Sequence, residues 1–122
     1  MMVAMETDAR AAELPGRLCP RFQHAMELVG KRWTGAIVRT LISGPCRFNE
    51  LLARVKGISD RLLSERLREL ETVGIVKRDV FPGPPVRVVY ELTCSGHELE
   101  PVISALEAWA ERWIILEPAN PT

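Results

Sequence analysis

Long apolar runs are missing from this 122-residue chain. A membrane-spanning helix needs about 20 such residues in a row, so none is expected. The N-terminus also lacks a signal-peptide core. The expectation is a cytoplasmic protein with no membrane partner. Cysteine is scarce: Cys19, Cys46 and Cys94 are an odd number at scattered spacings, neither a disulfide framework nor a zinc pattern. His24 and His97 are isolated, with no cysteine or carboxylate at a ligand spacing, so no metal is expected. There is no glycine-rich phosphate loop and no histidine–carboxylate pair near a nucleophile. Neither an enzyme nor a cofactor is therefore expected.

Net charge is absent too, with 16 basic against 16 acidic side chains. A neutral total taken alone argues against a nucleic-acid partner, but the charges are sorted along the chain. Between Arg21 and Leu92 stand 13 Lys/Arg and 8 Asp/Glu. From Thr93 onward Arg112 faces Glu98, Glu100, Glu107, Glu111 and Glu117 alone. A mildly basic middle thus precedes an acidic C-terminal segment.

That basic middle holds the most informative stretch, Arg47 to Gly74. Phe48, Leu51, Leu52 and Val55 recur at helical spacing, so a first short helix has one apolar face. Lys56-Gly57-Ile58 breaks the pattern, Gly57 supplying the backbone freedom of a sharp turn. Ser59 is a natural N-cap for a second helix, with Asp60 in its first turn where the dipole favours negative charge. In that helix Leu63, Leu67 and Leu70 form an inward stripe. Arg61, Ser64, Glu65 and Arg68 fall roughly opposite it. Arg66 lies toward the apolar side, so its stem should pack and its head should meet a carboxylate. A helix, a tight turn and a helix with bare arginines near its start is the form of a helix-turn-helix DNA reader.

Around this unit the chain divides into a flexible arm (residues 1–18), one domain (19–116) and a short tail (117–122). The arm has no apolar periodicity. Cys19-Pro20 opens a helix carrying Phe22, Ala25, Met26 and Val29, ended by Gly30. Trp33 opens another, with Ile37, Val38, Leu41 and Ile42 inward, closed by Ser43-Gly44-Pro45. After the helix-turn-helix come a strand from Ile75 to Phe81, a stiff Pro82-Gly83-Pro84-Pro85 turn, and a strand from Val86 to Leu92. Val86, Val88, Tyr90 and Leu92 alternate on one face of the second strand. Such a hairpin is a wing, with Arg87 at its tip and Arg78 further down. Ser95 with Glu98 reads as a capping box opening a terminal helix over about 95–116. Leu99, Val102, Leu106, Trp109, Trp113 and Leu116 then form a narrow seam suited to a homodimer interface, the competing reading being packing onto the chain's own first helix. Pro101, inside that pattern, should kink the helix or delay its start. The fold expected is mainly α with a small β-hairpin wing.

Four segments carry a resemblance: CPRFQHAMELVGKRW, GPCRFNELL, GISDRLLSERLRELETVGIVKRDVF and PPVRVVYELTCSG. In order and spacing they look like the HxlR-type winged helix-turn-helix regulators of bacteria, a MarR-like architecture, from Cys19 to about Trp113. The resemblance implies transcription regulation by a homodimer on a palindromic double-stranded operator, with terminal helices supplying much of the dimer contact. It carries DNA contact to Ser59, Arg61, Ser64, Glu65, Arg68 and Arg87. It also places Cys19 in the slot where some members sense oxidants or electrophiles. The segment from Cys19-Pro20 to Trp33 is, however, a residue longer than in such members.

The chemistry expected of these residues differs by position. Arg61 or Arg68 can give a bidentate pair to guanine, and Glu65 can accept from cytosine. Ser59 and the amides at the helix start suit phosphate. Lys31, Arg32 and Arg47 stand at helix starts that can also grip backbone. Arg17 and Arg21 flank Cys19, which with the helix dipole favours the thiolate. An inert thiol at the helix start is the competing reading. Two other functions stay open: a winged helix that docks a protein in place of DNA, and a regulator answering an apolar small ligand near the tryptophans.

Overall fold

The computed structural model describes residues 18–117. The expected flexible arm lies outside the described residues except for Leu18, as does the tail except for Glu117. Helix α1, Pro20–Val29, starts on a proline, whose missing N–H is of no consequence in a first turn. Gly30 ends it, its N–H returning to the carbonyls of Leu28 and Met26. No residue of α1 is buried, and Phe22 and Met26 are more than half exposed. Helix α2, Thr34–Ile42, does the opposite and sends Ile37, Val38 and Leu41 into the centre of the molecule.

A two-residue strand β1, Cys46–Arg47, precedes helix α3, Phe48–Arg54. The backbone N–H of Arg47 donates to Glu50 Oε1 at 2.7 Å, satisfying an otherwise orphaned donor. Helix α4, Asp60–Thr72, is capped by Ser59, whose hydroxyl accepts the Leu62 N–H at 3.1 Å. The turn between α3 and α4 needs Gly57, which sits at φ +98°. Leu63, Leu67 and Leu70 are all at most 1% exposed and meet Leu51 of α3 and the α2 stripe in one core. Full burial of each such leucine contributes roughly 1.5–3 kcal/mol.

Strands β2, Val76–Phe81, and β3, Arg87–Leu92, form the expected hairpin, one residue shorter at the start of each strand. The sheet has three strands in the order β1-β3-β2, all antiparallel, with Cys46 opposite Tyr90 and Arg78 also opposite Tyr90 from the other side. Sequence reading missed β1, because two residues are too few to show alternation. The core-facing side of β3 carries Tyr90 and Leu92 as expected, while Val86 precedes the strand and is exposed.

The single terminal helix expected from Ser95 is two helices, α5 (Cys94–His97) and α6 (Glu100–Trp113). The cap is Thr93, whose hydroxyl accepts the Gly96 N–H at 3.2 Å. Ser95 instead donates to the Gly74 carbonyl at 3.1 Å, tying α5 to the start of the wing. Pro101 explains the break: with no N–H and a ring that would meet the His97 carbonyl, it cannot continue α5 and falls in the first turn of α6. Leu99 caps α6 and packs on the core, whereas Leu116 lies beyond the last helical turn. Helix α6 rests on α2 through buried Ile103 and an Arg39–Glu107 ion pair at 2.7 Å.

Candidate nucleic-acid interface

With its leucine stripe inward, α4 turns its other face to solvent. The Arg61 side chain is 90% exposed, held loosely by Glu65 one turn on at 3.3 Å. Arg68 is exposed further along the same face, and Ser64 and Glu65 are half-buried beside it. Ser59 sits at the exposed start, its oxygen engaged by Leu62 and its O–H still free to donate. Among the described residues no carboxylate lies within ion-pair distance of Arg68, Arg78 or Arg87.

The strand register sorts the wing into two faces, because cross-strand partners project to the same side. Arg78 pairs with Tyr90 and so faces α4, where it borders a cleft with Ser64, Arg68 and Glu71. Arg87 pairs with Phe81 on the opposite face, its guanidinium 5.7 Å from the Phe81 ring centroid. The two wing arginines therefore point to different sides. Lys77 is drawn to Glu91 at 3.9 Å and Asp79 at 4.0 Å, which neutralises the base of the Arg87 face. Phe81 as a platform for Arg87 escaped the sequence reading, although the Pro-Gly turn that aligns the two residues was visible.

Arg66 packs as expected: its side chain is 12% exposed and its Nη1 meets Glu69 at 3.4 Å. Of the residues considered for gripping backbone, Lys31 bonds Glu69 at 3.0 Å and Arg32 stacks over Trp33 at 5.1 Å. Between α1 and α4 runs an open groove of about 700 Å³. Its border mixes charged side chains, among them Glu27, Lys31, Arg68 and Glu69, with the apolar Leu28 and Val73.

The three thiols occupy unlike settings. Cys19 is exposed at the N-cap of α1, and Cys94 is exposed at the start of α5. Cys46 is buried on β1, donating to the Gly44 carbonyl at 3.6 Å with Arg54 Nη1 3.9 Å from its sulfur. Burial pushes the Cys46 thiol above its ordinary pKa; Arg54 opposes this and Glu50 adds to it. Among the described residues no group of three His, Cys, Asp or Glu side chains could hold a metal, and no helix is long and apolar enough to cross a membrane.

On the outer side, α1 and α6 leave apolar side chains in solvent. Val102, Leu106, Trp109 and Trp113 of the expected seam are each more than half exposed, with Phe22 and Met26 on α1. Leu116 is exposed as well.

The profile of the HxlR-like helix-turn-helix family matches residues 28–118. The chain belongs to that family. It is a winged helix-turn-helix transcriptional regulator, and Cys19 lies upstream of the matched HxlR segment. The Bacillus subtilis regulator YvaP is 47% identical over 97 residues, 80% of this chain and 90% of YvaP. Reduced YodB, a B. subtilis transcriptional regulator, superposes with a TM-score of 0.73 at 42% identity, covering 85% of this chain and all of YodB. YodB has also been solved in diamide-treated and quinone-bound forms. The redox regulator HypR in its oxidised form superposes with a TM-score of 0.74 at 36% identity, over 80% of this chain and all of HypR.

Proposed function

We propose that this regulator works in the cytoplasm as a homodimer on a palindromic operator, with α4 in the major groove and the wing against the flanking backbone. The observation that carries the reading is the division of α4: its leucines are buried, and Arg61 and Arg68 are exposed on the other face, Arg61 only loosely paired. Arg61 or Arg68 takes guanine O6 and N7, Glu65 accepts from cytosine, and Ser64 lies within reach of either base edges or backbone. Ser59 and the first amides of α4 meet phosphate. Arg78 and Arg87, on opposite faces of the wing, contribute charge that attracts any sequence. Dimerisation through the bare faces of α1 and α6 is supported by the tryptophans and leucines they leave in water. A two-fold axis there presents the two α4 helices to half-sites about 34–36 Å apart.

Cys19 is the proposed sensor. It is exposed at the start of α1, and relatives of this chain have been solved in oxidised, diamide-treated and quinone-bound forms. Its thiolate can add to a quinone, or two thiols can surrender two electrons and two protons to diamide as a disulfide forms.

Selection of genomic fragments followed by gel-shift titration tests the reading. Wild-type protein should bind a two-fold symmetric site, weaken steeply with salt and leave the DNA on diamide treatment. Cys19→Ser should bind equally and stay bound. A protein that ignores heparin and all duplexes would instead be a protein-docking winged helix, and release of Cys19→Ser by diamide would remove Cys19 from the mechanism.

A further inference from the structure

Behind its DNA-facing side, α4 is fastened to a backbone corner between α1 and α2. Arg66 Nε donates to the carbonyl of Arg32 at 3.0 Å, and its Nη1 lies 3.4 Å from both oxygens of Glu69. Glu69 in turn accepts from Lys31 Nζ at 3.0 Å. Two consecutive corner residues are thus bonded to one turn of the reading helix. The next residue, Trp33, sits at φ +77° and ψ −17°, a left-handed conformation that a bulky side chain holds only where its surroundings impose it. Its ring packs on the core and reaches the turn between α3 and α4, where a Cβ on Gly57 would come within 3.1 Å of Trp33 Cη2.

We propose that Lys31-Arg32-Trp33 is a bracket that sets the pose of α4, with Arg66, Glu69 and Trp33 acting as positioning residues for sequence recognition. The inference rests on the reading of α4 as the helix that enters the major groove. Burial of Leu63, Leu67 and Leu70 holds α4 to the core, but apolar burial has no direction and tolerates rolling about the helix axis. Gly57, at the head of α4, permits changes of tilt. The hydrogen bonds of Arg66 are directional and close that freedom in mid-helix, while the Trp33 ring closes it at the turn. Desolvating a guanidinium offsets much of what its bonds return in stability, so its effect should fall on recognition more than on melting. The corner is also the end of α1, so a displacement of α1 reaches α4 along the same bonds.

The test uses the full chain and two duplexes of equal length, one selected for binding and one scrambled, at fixed salt. Arg66→Lys keeps the charge and the stem but loses the planar fork. The ratio of scrambled to selected Kd should fall at least about fivefold, the low end of one well-made base contact. Affinity for the scrambled duplex should stay within about twofold, because the charge is unchanged. Glu69→Gln and Trp33→Phe should lower the ratio from the two ends of the bracket. Glu69 is 37% exposed and its amide has the same shape, so that variant decides the matter if Arg66→Lys does not fold. Folded variants that discriminate as wild type does would overturn the bracket alone. A wild-type chain with no preference between the duplexes would refute the reading of α4, and the bracket with it.

Discussion

Arg61→Ala should separate recognition from folding. The side chain is 90% exposed, and its one partner is Glu65, itself 41% exposed, at 3.3 Å in an i,i+4 pair. Such surface pairs on helices contribute about 0.3–0.5 kcal/mol, so removing Arg61 should lower the melting temperature by no more than about 2–4 °C. A bidentate arginine–guanine contact discriminates by about 1–3 kcal/mol, equivalent to roughly 5- to 150-fold in affinity for each protomer that makes it. The assay is fluorescence anisotropy with the selected operator and with single-base variants of each half-site, at two salt concentrations. The expected pattern is specific: affinity falls for the preferred operator, and one base position per half-site becomes indifferent. The slope of log K against log salt should change little, because a base contact releases no counterion. Uniform weakening across all variants with a shallower slope would mean that Arg61 lies on phosphate. Unchanged binding throughout would refute the docking of α4.

Five further outcomes follow from particular side chains. Arg87→Ala should weaken binding to every sequence alike and flatten the salt dependence in the same titrations, since Arg87 stands on the wing with only Phe81 beneath it. Gly96→Ala should cost about 1–3 kcal/mol, or roughly 4–20 °C in a calorimetric melt, because a Cβ there would run into the Ile75 carbonyl and come within 3.0 Å of Leu92 Cδ2. Titration with a chromogenic disulfide reagent should find Cys19 and Cys94 fast and Cys46 slow. Burial raises the folded-state pKa of Cys46, so its contribution to stability is full below the ordinary thiol range and lost as pH climbs above it; Cys46→Ala should flatten that alkaline decline. Trp109→Glu should give a monomer by light scattering and lose about 10²–10⁴ in operator affinity, the factor that bivalent attachment supplies.

Where side-chain periodicity governs, the fold could be read without coordinates. The leucine stripe of α4, the Ser59 cap, the glycine turn and the hairpin after Gly74 are local patterns, each matched to one backbone geometry. What escaped reading depends on partners distant in sequence. β1 exists because Cys46 and Arg47 happen to lie beside β3, not because two residues have a strand pattern. Ser95 and Glu98 have capping-box spacing, yet Thr93 lies two residues earlier and Gly74 offers Ser95 a carbonyl, so the cap moves. The candidate site divides in the same way. Exposure of Arg61 and Arg68 follows from the helical wheel, but the opposite facing of Arg78 and Arg87 needs the strand register. The bond from Arg66 to the Arg32 carbonyl spans 34 residues and ends on a backbone atom, which no side-chain pattern encodes.

The neutral net charge, the one feature that spoke against DNA, is divided unevenly between paired and unpaired side chains. Arg39 is spent on Glu107, Lys31 and Arg66 on Glu69, and Lys77 on Asp79 and Glu91. None of these cations stands on the outer face of α4 or at the wing tip. Arg68, Arg78 and Arg87, which do line α4 and the wing, have no such partner among the described residues, and Arg61 has only a loose one. The acidic α6 meanwhile lies on α2, where its Glu107 is paired with Arg39. Field at short range is set by which charges remain unpaired near a surface, since opposite charges farther away than about 8 Å are screened at physiological salt. Asp60, Glu65 and Glu71 share that surface, so α4 and the wing offer individual unpaired arginines and not a continuous positive field. With so few unpaired cations there, non-specific affinity for DNA should be modest, and base contacts should supply much of the specific affinity.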